Sequence, residues 1–242
     1  RDLHSFPTRR SSDLGIGSEL AKKFAQEGWQ IGITARRENL LQALAAEFPS
    51  VKWHIKAMDT SNHDAARNIL QHLITEMNGV DIFIYNAGIG ESSSKWEKEN
   101  NMHQVNAIGF AALANFMFKY FKEGKLTGQI VGISSVASQR GTKTSIGYAA
   151  TKAFMSTYMQ GQRQAAGSKK LPITITDIRP GYIETPMTEG QKGMFWVAKS
   201  NHAATLIYKA IISKKNVAYI PGKWRFAAWV VRNIPEFIWN RM

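Results

Sequence analysis

Tyr148 and Lys152 stand four residues apart in the stretch YAATK, a spacing that predicts one helical turn between a phenol and an ammonium. Hydride reduction of a carbonyl needs a proton donor at the oxygen, and an unperturbed tyrosine pKa of about 10 is too high for easy cycling near neutral pH. A nearby positive charge favours phenolate, so we expect Lys152 to lower the pKa of Tyr148. Ser135, after a predicted strand, is placed to hydrogen-bond the substrate oxygen as charge develops there.

A second feature is the glycine-rich turn Gly15-Ile16-Gly17, which runs directly into a predicted helix. The free N–H groups at the start of such a helix can hold a pyrophosphate. Two glycines occur in many kinds of tight turn, so the motif alone is weak evidence. Its position at a helix start favours a nucleotide-binding role.

Further residues lie at or just past the ends of predicted strands, or on the helix that follows: Asp59, Asn86-Ala87-Gly88, Asn106, Ser134-Ser135, Tyr148, Lys152 and Pro180-Gly181. In an open parallel sheet, ligands bind at that edge. In order and spacing, this set resembles the short-chain dehydrogenase/reductase family from Gly15 to about Ile220. Each motif is common by itself, whereas the ordered set is specific.

The resemblance implies an oxidoreductase with the catalytic residues Asn106, Ser135, Tyr148 and Lys152. It also implies that Lys152 binds the nicotinamide ribose, that Asn106 supports a water relay to Lys152, and that Asp59 contacts adenine. The residues assigned to cofactor binding are Gly15, Ile16, Gly17, Arg36, Arg37, Asp59, Asn86, Ala87, Gly88, Tyr148, Lys152, Pro180, Gly181, Ile183 and Thr185. The alternative is a surface YxxxK on an amphipathic helix, and the presence of Ser135 and Asn106 argues against it.

The choice of cofactor follows from the residues after the second strand, Ala35-Arg36-Arg37. An acidic residue there would bind the ribose hydroxyls of NAD and repel a 2′-phosphate, whereas guanidinium groups bind that phosphate with charge-assisted hydrogen bonds. The alternative is a solvated helix start, but arginine is mildly unfavourable at a helix N-terminus. We therefore expect NADP(H) as the cofactor.

The pattern of apolar residues predicts strands alternating with helices along the chain. Strands are expected at 29–35, 51–57, 81–85, 129–134, 173–178 and 217–220, and helices at 18–27, 38–48, 63–77, 95–122, 148–166 and 202–213. This alternation predicts an α/β fold, a Rossmann-like doubly wound parallel sheet between two helical layers. Residues 15–222 are expected to form one domain, with the tail 223–242 added to it.

The first fourteen residues do not supply the strand that should precede the glycine turn, because they are polar, charged and interrupted by Pro7. Arg1–Asp13 can be encoded in full by an adapter oligonucleotide commonly ligated to DNA fragments for sequencing. We therefore interpret residues 1–14 as a sequencing artefact in place of the first strand. The alternative is a natural basic arm.

Composition limits the remaining function classes. The chain has 242 residues, no cysteine and a formal net charge of +13. Absence of cysteine excludes disulfides and thiolate metal sites, and none of the six histidines is expected to bind a metal. The basic charges are mostly scattered and no DNA- or RNA-binding motif appears, so we expect no nucleic acid partner. A cytoplasmic location is expected, and the oligomeric state is left open.

The segment after Pro180-Gly181 is expected to cover the substrate. Its apolar side chains, Tyr182, Met187, Met194, Phe195 and Trp196, favour a lipophilic ketone or aldehyde, or the corresponding alcohol, over a free sugar. The alternative is that they pack this lid onto the core. Two other functions are left open: a membrane-surface reductase of a lipid-linked keto-sugar, and a non-catalytic NADP-binding protein.

The tail 223–242 is basic and rich in tryptophan. Trp224, Ala228 and Val231 repeat at helical spacing, and Pro235 is expected to break the helix. Such a helix suits the interface of an anionic membrane, which would place the protein at its inner face. The alternative is a helix packed over the substrate pocket or against a second copy.

Overall fold

The structure, a computed structural model, describes residues 15–90, 95–188 and 193–242. The helices are α1 Ile16–Gln26, α2 Glu38–Ala46, α3 His63–Glu76, α4 Trp96–His103, α5 Phe110–Glu123, α6 Ile146–Ser168, α7 Ser200–Ile212, α8 Trp224–Asn233 and α9 Glu236–Trp239. The strands are β1 Ile31–Ala35, β2 Trp53–Ala57, β3 Ile82–Tyr85, β4 Gly128–Ile133, β5 Ile173–Pro180, β6 Ile183–Glu184, β7 Ala198–Lys199 and β8 Val217–Ile220. The predicted α/β alternation and Rossmann-like fold class are confirmed.

The strands of the main sheet are all parallel, and they fall into two groups. One group pairs β1 with β2, and the other has the order β3-β4-β5-β8. Residues of β1 and of β3 both line a cavity of about 760 Å³. Within the described ranges no strand pairs with both β1 and β3. The interpretation of residues 1–14 as an artefact falls outside the described residues.

Two apolar clusters separate the sheet from its two helical layers. On one face, Leu20 and Phe24 of α1 and Ile207 and Ile211 of α7 are buried against strand residues such as Val131. On the other face, side chains of α3, α5 and α6 pack together, among them the fully buried Phe110 and Met159. This apolar burial on both faces is why a central strand such as β3, IFIY, has apolar or aromatic side chains at every position.

The region predicted as one helix over 95–122 contains a π-helix, Gln104–Gly109, between α4 and α5. Gly109 makes this close packing feasible, because a β-carbon there would lie 2.5 Å from the Thr60 carbonyl oxygen. The wider turn carries Asn106, which is fully buried. A π-turn inside a helix commonly marks a functional site, and it is not predictable from apolar periodicity.

Pro235 separates the last two helices, as predicted. α8 ends at Asn233, and Pro235 stands directly before α9. None of the helices in the described ranges combines the length and apolar character needed to cross a bilayer.

Candidate active site

Lys152 of α6 has a buried ammonium at the centre of the site. Its side chain is 4% exposed, and Nζ donates a hydrogen bond of 2.9 Å to the carbonyl oxygen of Ile133, at the end of β4. The same nitrogen lies 5.7 Å from the centre of the Tyr148 ring, one helical turn earlier. The predicted pair is therefore on one face of α6, directed toward the carboxyl end of the sheet.

Burial lowers the pKa of Lys152 to about 8, and the carboxylate of Asp177 partly opposes this shift. Asp177 is completely buried on β5, where it accepts hydrogen bonds from Ser134 Oγ and from Arg179 Nε, the latter at 2.7 Å. Sequence reasoning missed Asp177. The signal was present, because the strand ITITDI has no other charged residue, and an acid there must have partners if it is buried.

Ser135 lies two residues after the end of β4 and within hydrogen-bonding reach of the Tyr148 phenol. Removal of the phenol from water raises the pKa of Tyr148, and the hydrogen bond from Ser135 offsets only part of this effect. The expectation that Lys152 lowers the pKa of Tyr148 is therefore wrong for the protein without its cofactor. The physical reason is that desolvation dominates while the ammonium is engaged by the Ile133 carbonyl oxygen.

Asn106 joins the glycine-containing loop Asn86-Ala87-Gly88 to this cluster. Its side chain donates 2.8 Å to Ile89 O and accepts 2.8 Å from Ile89 N–H, and it also donates to Thr151 on α6. A β-carbon at Gly88 would lie 3.3 Å from Lys152 Nζ and 3.7 Å from Asn106 Oδ1. In the described structure Asn106 therefore holds the backbone of this loop against the ammonium. The water relay from Asn106 to Lys152 stays a prediction.

The predicted dinucleotide residues line one side of the large cavity between β1 and β3. The residues that share this lining are Gly17, Arg36, Asp59, Asn86, Ala87 and Gly88. Gly15, with a positive φ of 76°, precedes α1, and no described side chain caps that helix. The first-turn N–H groups, including those of Ile16 and Gly17, therefore suit a phosphate, and this donor set fits a nicotinamide dinucleotide.

Asp59 is ionised at the edge of this cavity. Its partial burial favours the neutral acid, but hydrogen bonds from Ser61 N–H (2.9 Å) and Ser61 Oγ (2.7 Å) and the charge of Arg36 together lower its pKa. Arg36 is exposed, and Arg37, which precedes α2, is partly buried. A cation and a hydrogen-bond acceptor thus stand together where the adenosine end of a dinucleotide is expected.

The remaining predicted cofactor residues lie near the end of β5. Pro180 pairs with Ile220 of β8, and Ile183 begins the two-residue strand β6. A β-carbon at Gly15 would lie 3.1 Å from Thr185 Cγ2, so this segment closes over the glycine turn. Pro180, Gly181, Ile183 and Thr185 are not among the residues that line the cavity.

Three of the predicted lid residues, all aromatic, form a cluster with a residue of the C-terminal tail. This contact was not predicted from the sequence. Trp224, the first residue of α8, is buried against Tyr182, Phe195 and Trp196, with ring centres 4.9–5.7 Å apart. Phe195 and Trp196 keep exposed area of 52% and 42%. In the described ranges no three His, Asp or Glu side chains are grouped as metal ligands.

Comparison with known proteins agrees with this geometry. Residues 12–194 match the family model described as short chain dehydrogenase. The chain belongs to this family. It is therefore an oxidoreductase that uses a nicotinamide cofactor and acts on a small-molecule substrate.

A protein of Myxococcus xanthus (strain DK1622), described as an uncharacterized oxidoreductase, is 28% identical over 88% of this chain and 85% of its own length. The short-chain dehydrogenase from Sphingobium yanoikuyae in complex with NADPH has a TM-score of 0.77 at 20% identity, covering 93% of this chain and 94% of the other. The bulky-bulky ketone specific alcohol dehydrogenase from Comamonas testosteroni has a TM-score of 0.74 at 20% identity, covering 93% and 92%. These two structures share the fold.

The buried charge of Lys152 should cost stability in a pH-dependent way. Its pKa is about 8 in the folded chain and about 10.4 in an unfolded one. Between these values the unfolded chain binds more protons, so this group makes the free energy of unfolding rise with pH. We expect Lys152→Met to raise the unfolding midpoint of the cofactor-free protein by about 4 °C at pH 7. The gain should shrink as the pH rises from 8 to 10.5.

Thermal unfolding at several pH values measures this effect, with the exposed Lys169→Met as the matched control. The control should shift the midpoint equally at every pH. Equal midpoints for Lys152→Met and the wild type at pH 7 would show that the buried charge carries no such cost.

Proposed function

We propose that the protein is an NADPH-dependent carbonyl reductase that also oxidises the corresponding alcohol. The observation that carries the proposal is the cluster in which Ser135 reaches the Tyr148 phenol while the Lys152 ammonium lies 5.7 Å from the same ring. Hydride transfer leaves negative charge on the carbonyl oxygen, and this cluster offers a proton donor and a second hydrogen-bond donor for that oxygen. When bound, a reduced nicotinamide supplies the hydride.

The protonation state of Tyr148 favours reduction. Because desolvation raises its pKa, the phenol is protonated at neutral pH, which is the state required of a proton donor. Tyr148 donates its proton to the carbonyl oxygen, and Ser135 holds that oxygen by a hydrogen bond. Lys152 stabilises the phenolate that forms. Alcohol oxidation needs the phenolate at the start, so it should require higher pH than carbonyl reduction.

The choice of NADPH over NADH rests on Arg36 and Arg37. Arg36 lines the cavity together with Asp59, and its charge contributes to the lowered pKa of that acid. A 2′-phosphate beside these guanidinium groups would gain charge-assisted hydrogen bonds. The NADPH in the Sphingobium yanoikuyae structure supports the same choice.

The substrate proposed is a lipophilic ketone or aldehyde. Tyr182, Phe195 and Trp196 lie in the segment after Pro180-Gly181, and their exposed aromatic surface suits an apolar substrate. The Comamonas testosteroni protein, which is described as specific for bulky-bulky ketones, supports this class.

We also propose that the tail associates with an anionic membrane surface. The outer side of α8 exposes Phe226 (66%) and Trp229 (63%), whose rings stack 6.4 Å apart, and α9 exposes Phe237 (65%). Arg225 and Arg232 lie beside these aromatic side chains on α8. Aromatic and cationic groups on one short helix are typical of interfacial binding. This observation favours the lipid-linked substrate as a second candidate.

Tyr148→Phe should abolish turnover without loss of cofactor binding, because it removes the proton donor and keeps the ring. A panel of ketones and keto-sugars, followed by NADPH oxidation, should show a decrease in kcat of about 10²–10⁴-fold on every substrate that the wild type reduces. NADPH affinity, measured by fluorescence, should change little. Turnover near the wild-type rate in this variant would exclude the mechanism.

Arg36→Ala and Arg37→Ala should reduce the preference for NADPH. Each charge-assisted hydrogen bond contributes roughly 1.5–3 kcal/mol, so about ten- to hundredfold of the preference should be lost per arginine. The loss should come from weaker NADPH binding, with NADH affinity nearly constant, in titrations with both cofactors. Equal affinities of the wild type for NADPH and NADH would contradict the proposal before any mutation.

Phe226→Gln combined with Trp229→Gln should release the protein from anionic vesicles, because it removes exposed aromatic surface and leaves the buried Trp224 in place. Co-sedimentation with vesicles containing anionic lipid should recover the wild type in the pellet at low salt and the double variant in the supernatant. Vesicles of neutral lipid serve as the control. Recovery of both proteins in the supernatant with anionic vesicles would leave the tail with a packing role alone.

A further inference from the structure

The segment 136–147 connects two candidate catalytic groups, since Ser135 stands directly before it and Tyr148 directly after it. It starts with a 3₁₀ turn, Val136–Gln139, in which Ala137 N–H donates 3.1 Å to Ser135 Oγ. It ends with the first residues of α6. The distance between Ser135 and Tyr148 therefore depends on how this connector is held.

Arg140, in the middle of the connector, is bound by the C-terminal tail. Nη1 donates to the carbonyl oxygens of Val231 (3.2 Å) and Ile234, and Nη2 donates 2.6 Å to the carboxylate of Glu236. The guanidinium also lies 4.8 Å from the centre of the Trp239 ring. Its side chain is only 14% exposed. One residue thus contacts the end of α8, the turn that follows and α9.

Two residues that follow Arg140 in the connector, Gly141 and Lys143, are also hydrogen-bonded to the tail. Trp239 Nε1 donates 3.0 Å to the carbonyl oxygen of Gly141, and Lys143 Nζ donates 2.7 Å to Met242 O. The connector from Arg140 to Lys143 and the tail from Val231 to Met242 therefore form one hydrogen-bonded unit. Ion pairs that are exposed contribute little, but the bonds of Arg140 to backbone oxygens are partly buried and directional.

The other end of the tail is packed at the cofactor side of the site. A β-carbon at Gly181 would lie 2.0 Å from the ring of Trp224, so this glycine is in direct contact with the indole. Trp224 also packs against Tyr182 of the lid. The tail consequently contacts both the Pro180-Gly181 turn and the connector between Ser135 and Tyr148.

We propose that Arg140 is a positioning residue, which acts with the tail Trp224–Met242 to hold Ser135 and Tyr148 at their working distance. The inference rests on the proposed function, because it assigns a purpose to the connector of that catalytic cluster. Arg140 itself is bonded to the tail and acts on the reaction through its neighbours.

The test compares Arg140→Ala with Arg67→Ala, a matched control that removes an exposed arginine paired with Asp64 on α3, in neither the connector nor the tail. We expect Arg140→Ala to lower kcat about tenfold or more, since small misplacements of catalytic groups are costly, while KM and NADPH affinity change less than about threefold. Arg67→Ala should match the wild type in kcat, KM and NADPH affinity. A general loss of structure would instead weaken NADPH binding and lower the unfolding midpoint to the assay temperature.

A milder variant covers the case in which Arg140→Ala does not fold. Trp239→Phe keeps the ring beside Arg140 and removes the hydrogen bond to Gly141, so we expect a smaller decrease in kcat with an unchanged unfolding midpoint. If both residues act through one unit, the double variant should be no slower than Arg140→Ala alone. A kcat for Arg140→Ala within twofold of the wild type, or decreases that multiply in the double variant, would overturn the proposal.

Hydrogen exchange separates failure of this inference from failure of the proposed function. If the wild type reduces no carbonyl compound, the proposed function fails, but the attachment is still measurable. Amide exchange in residues 136–147 should then be faster in Arg140→Ala than in Arg67→Ala. Equal exchange in the two variants would overturn the positioning role regardless of activity.

Discussion

The buried ammonium of Lys152 is the constraint on which the rest of the candidate site depends. A cation removed from water needs compensating partners, and here they come from two neighbouring strands. Ile133 O at the end of β4 accepts its hydrogen bond, and the carboxylate of Asp177 on β5 opposes the decrease in its pKa. Because β4 and β5 pair in register, with Gly132 opposite Asp177, the sheet holds both of these partners in place beside the ammonium. Every other group of the cluster is arranged around it.

The helices and strands were predictable because apolar periodicity is a local property of the sequence. The predicted ends of the strands then indicated where the candidate site residues lie. Contacts between distant segments could not be predicted from the sequence. Neither could the net direction of a pKa shift on which opposing effects act. The direction of the Tyr148 pKa shift is an example, because it depends on desolvation by the whole fold and on the hydrogen bond of Lys152 to Ile133. The attachment of Arg140 to the tail is another, since it joins residues more than 90 positions apart. The π-helix around Asn106 likewise depends on the close packing at Gly109.

The cavity between β1 and β3 joins the cofactor residues to the interior of the sheet. Part of its lining is polar, with residues such as Arg36 and Asp59, and part is apolar, with the side chains of Ile33 and Ile84 among others. A dinucleotide can occupy the polar part, but its phosphates are poorly matched to strand edges and aliphatic groups. The apolar lining is therefore matched to aliphatic groups, whereas the fit of the cofactor depends on the polar residues alone.

The tail has two faces that make different contacts. Its composition is therefore compatible both with packing on the protein and with binding to a membrane surface. Its inner face buries Trp224 and Ala228 and bonds to the connector through Arg140, while its outer face exposes Phe226 and Trp229. The packing and membrane alternatives therefore do not exclude each other, because they use opposite sides of one helix. A surface that bound the outer face would also restrain the inner contacts, because both faces belong to the same ten-residue helix. Occupation of the outer face would then act on the distance between Ser135 and Tyr148 through the contacts that hold the connector.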